Sequence, residues 1–211
     1  MKPLSIGVLV SGRGSNLEAI LRAQKGGEIR SRVAGVISNV AGVRALDIAR
    51  ECGVPALHLS HKDFSDRSAF DAAIVKQLED MGCDFVVLAG FMRIVTPVLL
   101  DAFPERVINI HPSLLPAFPG KDGPKQALAH GVKVAGATVH IVDGGMDTGP
   151  ILFQSAVSVE NGDTAETLAA RILVEEHRLL VQAIRAFEEE RVALSGEGSA
   201  RRARVLPENA A

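Results

Sequence analysis

Along the first half of the chain, short runs of β-branched and aliphatic residues alternate with longer stretches whose apolar positions recur every three or four residues. That alternation predicts an α/β fold: a doubly wound, mostly parallel sheet with helices on both faces. Strands are expected at Leu4–Val10, Val33–Ser38, Ala56–Leu59, Phe85–Ala89 and Val107–Ile110, all apolar enough to be covered on both sides. The first helix is expected to open on a capping box, Ser15 to Glu18, to bury Leu17, Ile20 and Leu21, and to stop at Gly26-Gly27. Further helices are expected over Val43–Cys52, Arg67–Met81 and Thr96–Phe103.

After Ile110 the pattern changes. The Pro-rich stretch from Pro112 to Pro124 excludes a long regular element, and a short helix is expected over Lys125–His130. Extended runs at Ala137–Val142 and Ile151–Val159 flank a Gly-rich segment, Asp143–Gly149. A last long helix is expected from a cap at Asp163, with Glu166 three residues on, to about Glu190. From Ser195 the chain reads as a tail with one edge strand, Arg204–Leu206.

Composition narrows the class. With 211 residues the chain fits one domain, divided into lobes at about 1–104 and 105–190 and a tail at 191–211. A net charge of −2 argues against nucleic acid as the main ligand, since proteins that track phosphates are usually basic. No apolar run reaches the roughly 20 residues of a membrane helix, and Ile6–Val10 is too short for a signal peptide. Cys52 and Cys83 fit neither a redox nor a zinc spacing, so a reducing, cytoplasmic setting is expected. Small molecules are the expected partners, and the chain is expected to be a monomer or homodimer.

Four segments break the structural pattern. Ser11-Gly12-Arg13-Gly14-Ser15-Asn16 follows the first strand and opens a helix, where backbone N–H groups can bind an anion. Leu17 stands where a dinucleotide fingerprint needs its third glycine, and the GK[ST] ending of a P-loop is absent, leaving a small phosphate pocket or an ordinary tight turn. In Val107–Pro112, Asn109 and His111 lie two apart and so share a strand face, at the carboxyl end where open α/β sheets bind ligands. An amide beside an imidazole suits a developing oxyanion and a moving proton. The loop Asp143–Pro150 carries two aspartates. Either can satisfy its own turn, and one placed near His111 would favour the charged imidazole. His111, His140 and Asp147 can also be read as a two-histidine, one-carboxylate metal triad, but their spacing matches no fixed motif and no metal is expected. Glu176 falls on the stripe Ala169, Ile172, Leu180, Ala183 and Phe187: it is either buried, and then paired, protonated or bound to a ligand, or solvated on a misphased stripe.

Taken together, Ser11–Leu17, Leu88–Arg93, Asn109–Pro116 and Asp147–Ile151 resemble the folate-dependent formyltransferases, and the N-terminal Gly-Ser-Asn resembles the branch acting on glycinamide ribonucleotide. The likeness covers Ile6 to about Phe187 and implies a Rossmann-like formyltransferase fold. It implies that 10-formyltetrahydrofolate, as co-substrate, gives its formyl group to the amine of glycinamide ribonucleotide. Asn109, His111 and Asp147 then form the catalytic trio. Gly14, Ser15 and Asn16 hold the ribose phosphate, and Glu176 meets the substrate ammonium. Arg67, Met92, Arg93, Ile94, Val95 and Asn109 belong to the folate site. The family often carries a histidine just after the Pro-Gly of its loop, whereas this chain reads Pro119-Gly120-Lys121-Asp122.

Two relatives with the same chemistry are expected to differ in length. A formyltetrahydrofolate hydrolase usually carries an N-terminal regulatory domain, and a formyltransferase for initiator tRNA usually adds a C-terminal domain and a basic surface. A non-catalytic nucleotide binder would need only Ser11–Asn16 and would leave the trio unexplained.

Overall fold

The computed structural model of the chain describes residues 2–196 and 198–208. They fall into two compact units, one ending at Asn109 and the other beginning at Ile110. In the first unit β1 (Ser5–Val10), β2 (Arg32–Ser38), β3 (Ala56–His58), β4 (Phe85–Leu88) and β5 (Val107–His111, which runs across the boundary) pair in parallel, in the order β3-β2-β1-β4-β5. Helices α1 (Ser15–Gly26), α2 (Arg44–Glu51), α3 (Arg67–Asp80) and α4 (Pro97–Ala102) connect them. Every residue of β1 after Ser5 is buried, as its unbroken apolar sequence requires of a strand covered on both faces. Strand β1 is hydrogen-bonded to both β2 and β4, so the winding direction reverses between β1 and β4. That is the place where such sheets open a ligand site.

The second unit contains α5 (Gly123–Ala129), β6 (Val134–Ile141), β7 (Ile151–Ser158) and α6 (Ala165–Glu188). Strands β6 and β7 are antiparallel, and complete a seven-stranded, mostly parallel sheet in sequence order β5-β6-β7. Burial alternates along β7, the mark of a strand with one wet face. Helix α6 packs on β6, β7 and α5, and buries Leu168, Ile172, Leu179, Leu180, Ala183 and Ile184.

Several boundaries differ from the sequence expectation, each for a local reason. The capping box at Ser15 does not form. Gly14 is the N-cap, in the left-handed region at φ 83°, and Ser15 is already helical. The cap of α6 is Thr164 with Thr167, not Asp163 with Glu166; Asp163 is engaged by Arg171 instead. Helix α5 starts at Gly123, earlier than expected, with Pro124 in its first turn, where a missing N–H costs nothing. The tail 191–211 includes residues 197 and 209–211, which lie outside the described residues. Its described part pairs β8 (Val192–Ser195) with β9 (Arg202–Val205) as an antiparallel ribbon, in place of one edge strand. No helix among the described residues is long and apolar enough to cross a membrane.

Candidate active site

In the first unit, the turns after β1 and β4 enclose a hollow of about 170 Å³. Ser11 to Asn16 wall one side, and Ala89, Gly90 and Met92 the other. The predicted phosphate residues Gly14, Ser15 and Asn16 therefore share one concavity, at the N-terminus of α1. Gly14 must be glycine here: at φ 83° a side chain is strained, and an added Cβ would stand 2.7 Å from the Ala45 Cα. Ser11 ties the two walls together. Its N–H donates to Gly90 O (3.1 Å), and its hydroxyl accepts from Met92 N–H (2.9 Å) while donating to Asn39 Oδ1 (2.6 Å).

The predicted folate residues of this unit lie on α3 and on the segment between β4 and α4. Arg67 is exposed in the first turn of α3. Met92 and Ile94 are exposed large apolar side chains at 62% and 45%, whereas Val95 is buried. Arg93 lies over the Phe70 ring, with its guanidinium carbon 5.6 Å from the ring centroid.

Strand β5 ends on His111, because Pro112 cannot continue the ladder. Asn109 is partly exposed and lies two residues before it, on the same strand face. His111 is buried. Its Nε2 lies 2.9 Å from Phe118 O, which can only accept, so that nitrogen carries a proton. Its Nδ1 faces Asp147 Oδ2 at 3.4 Å. Both groups holding the ring rest on residues in the left-handed region, Phe118 at φ 54° and Asp147 at φ 55°. Such backbone costs of order 1–3 kcal/mol per residue, and it clusters where geometry serves function.

The Asp143–Gly149 loop delivers Asp147 from the turn between β6 and β7. Asp143 satisfies that turn, accepting from Gly145 N–H (3.0 Å) and the Thr148 hydroxyl (2.7 Å). The loop mouth is zipped by Ile141 N–H on Pro150 O (2.9 Å), and a Cβ on Gly149 would collide with the Ile141 carbonyl oxygen. Asp147 Oδ2 also accepts from Gly120 N–H (2.8 Å). Burial alone would push the Asp147 carboxyl up; the neighbouring His140, the Gly120 N–H and the charge of His111 outweigh it and hold it below its ordinary range.

The structure thus brings His111 and Asp147 together and places Glu176 on the buried face of α6, at 7% exposure. Sequence reasoning grouped His140 with His111 and Asp147 only as a metal triad and did not foresee it as a neighbour of the carboxylate. It is buried in β6, with Nδ1 3.0 Å from Ile141 O and Nε2 3.6 Å from Asp147 Oδ1. A histidine inside the otherwise small and apolar run Val134–Ile141 was the available signal. It also missed Asp71, a buried acid in step with Ile74 and Leu78 on α3. Among the described residues, no group of three or more His, Cys, Asp or Glu is arranged to hold a metal ion.

Residues 4–184 match the family model of the formyl transferases. A phosphoribosylglycinamide formyltransferase of Mycobacterium tuberculosis is 48% identical over 198 residues, which cover 92% of this chain and 89% of that protein. The crystal structure of glycinamide ribonucleotide transformylase 1 from Symbiobacterium toebii superposes with a TM-score of 0.94 at 53% identity, covering 97% of this chain and 95% of that one. The trifunctional purine biosynthetic protein adenosine-3 of Bos taurus is 41% identical over 93% of this chain, and the match takes up 20% of the relative. The chain spans about a fifth or less of the length of the trifunctional relatives it matches.

Proposed function

The chain belongs to the formyl transferase family, and from that membership we propose that it moves the formyl group of 10-formyltetrahydrofolate onto the primary amine of glycinamide ribonucleotide. The products are tetrahydrofolate and formylglycinamide ribonucleotide, a step of purine synthesis in the cytoplasm, and relatives of similar length carry the name of that activity. The observation that carries the reading is the His111–Asp147 pair: a buried imidazole anchored through Nε2, with Nδ1 turned to a carboxylate.

The chemistry follows from those two nitrogens. Attack by the amine on the formyl carbon puts negative charge on the formyl oxygen, which hydrogen-bond donors must stabilise. The Phe118 carbonyl holds Nε2–H and fixes the ring, while 3.4 Å is longer than a committed N–H···O bond, so Nδ1 remains available to the reacting centre. Asn109, one strand repeat earlier, supplies an amide N–H. Asp147, beside the ring, moves the proton that the attacking ammonium sheds on to N10 of the folate as the C–N10 bond breaks and tetrahydrofolate leaves. An amine is itself a nucleophile, so no covalent enzyme intermediate is needed. Gly14, Ser15 and Asn16 hold the phosphate, Glu176 the ammonium, and Arg67 with Met92, Arg93, Ile94, Val95 and Asn109 the folate.

The test is to incubate the protein with 10-formyltetrahydrofolate, with and without glycinamide ribonucleotide, and follow tetrahydrofolate release. Release that requires the amine is expected. Equal release without it identifies a hydrolase, and none in either case leaves a binding protein.

A further inference from the structure

Asp71 is a buried carboxylate that the chemistry above does not use. It lies one turn after Arg67 on α3, is 2% exposed, and spends a single oxygen on two donors of one residue. Its Oδ2 accepts from the Thr96 N–H (2.5 Å) and from the Thr96 hydroxyl (2.8 Å). Thr96 is the N-cap of α4, a position where a threonine oxygen ordinarily accepts from its own helix, yet no such cap bond forms. The hydroxyl is turned to Asp71 instead.

The neighbouring residue on α3 acts on the same segment. Phe70 is fully buried, braced edge-on by Phe64 with ring centroids 5.5 Å apart, and it carries the Arg93 guanidinium on its face. Helix α3 therefore grips the connection between β4 and α4 twice, at Arg93 through Phe70 and at Thr96 through Asp71. Ser11 secures its other end at Gly90 and Met92. Between these anchors Met92 and Ile94 stand exposed on a backbone fastened at both ends. A backbone fastened in that way loses little freedom when a ligand covers the side chains it carries. The arrangement is costly: burial pushes the Asp71 carboxyl up, against the two Thr96 bonds and the charges of Arg93 and Arg67. An apolar residue would avoid the cost but leave two buried donors unpaired.

We infer that Asp71 is a positioning residue for the folate co-substrate: by clamping Thr96 it pre-organises Met92–Val95 to receive the formyl folate. The inference rests on the proposed folate role of that segment. The test is steady-state kinetics with each substrate varied in turn. Asp71→Ala should raise KM for 10-formyltetrahydrofolate about tenfold or more, the scale of a lost charge-assisted hydrogen bond, with kcat and KM for glycinamide ribonucleotide nearly unchanged. Asp71→Asn keeps an acceptor oxygen and should restore most of the affinity. Thr96→Val should raise the same KM, and the double variant Asp71→Ala/Thr96→Val should add little to Asp71→Ala alone. Equal rises in both KM values, or a fall in Tm alone, would overturn the inference. If Asp71→Ala fails to fold, Thr96→Val decides, and an unchanged folate KM there is fatal. Ile94→Ala separates the two layers: a raised folate KM in Ile94→Ala with none in Asp71→Ala removes only the clamp, and no change in either removes the folate reading of the segment with it.

Discussion

His140 Nε2 stands 3.6 Å from Oδ1 of Asp147, the carboxylate oxygen that His111 does not face. Its other nitrogen is fixed on the Ile141 carbonyl, so the ring cannot turn away without breaking that bond. Asp147 is thereby steadied on one oxygen while the other addresses His111. His111→Ala and Asp147→Asn are each expected to cut kcat at least about 100-fold, the low end for a general acid–base or oxyanion group. His140→Phe should cost about tenfold, since the carboxylate remains but loses its brace. Measured kcat for the three variants checks the ranking, and near-normal turnover in either of the first two removes the mechanism.

Glu176 is an acid on the buried face of α6. If it receives the substrate ammonium, Glu176→Gln removes a charge-assisted hydrogen bond and should raise KM for glycinamide ribonucleotide by about tenfold or more, with the folate KM unchanged. An unchanged amine KM assigns Glu176 to packing alone.

Gly14 holds the turn into α1 at a φ that side chains resist, against the backbone of Ala45. Gly14→Ala should therefore lower stability by about 1–3 kcal/mol and weaken phosphate capture. Urea unfolding and inhibition by inorganic phosphate measure the two effects separately.

The start of α6 should show acid sensitivity. Asp163 accepts from Arg171 at 2.9 and 3.0 Å, from Glu160 N–H at 2.7 Å and from the Thr167 hydroxyl at 2.8 Å. Arg171 first, then those two donors, hold its carboxyl well below the usual carboxylate range. A depressed folded value means the stabilisation is complete above the unfolded carboxylate pKa, about 3.9, and fades as the pH falls towards the folded one. Asp163→Asn should lower Tm at pH 7, and its gap from the parent should narrow below about pH 4. A gap independent of pH would contradict the ionic origin.

Much of this was legible in the sequence because the deciding physics is local. Strand and helix periods, glycine at Gly14 and the two-residue spacing of Asn109 and His111 need no knowledge of the rest of the chain. Glu176 was visible as a misfit on an apolar stripe, but its burial depended on the phase of α6 against β6 and β7. The caps were misread although Ser15 and Asp163 are good capping residues: Gly14 takes the cap of α1 through its φ, and Arg171 takes Asp163. Asp71 was missed because its role depends on Thr96, 25 positions away, which only tertiary structure brings close; His140 was read with Asp147 only as a metal ligand, since the spacing of the two says nothing of which atoms face each other.

The loop that presents Asp147 is closed at its mouth by Gly149, where any side chain would strike the Ile141 carbonyl oxygen, while at Gly144 an added methyl group meets open space. Sequence drift in this loop is therefore lopsided. On the exposed rim, Gly144 and Met146 are free to change with lineage or under a directed-evolution screen, whereas a side chain on Gly145 would press on Thr148. The residue that seals the loop is held by collision rather than by chemistry, so it would stay glycine even in a descendant that had given up the reaction.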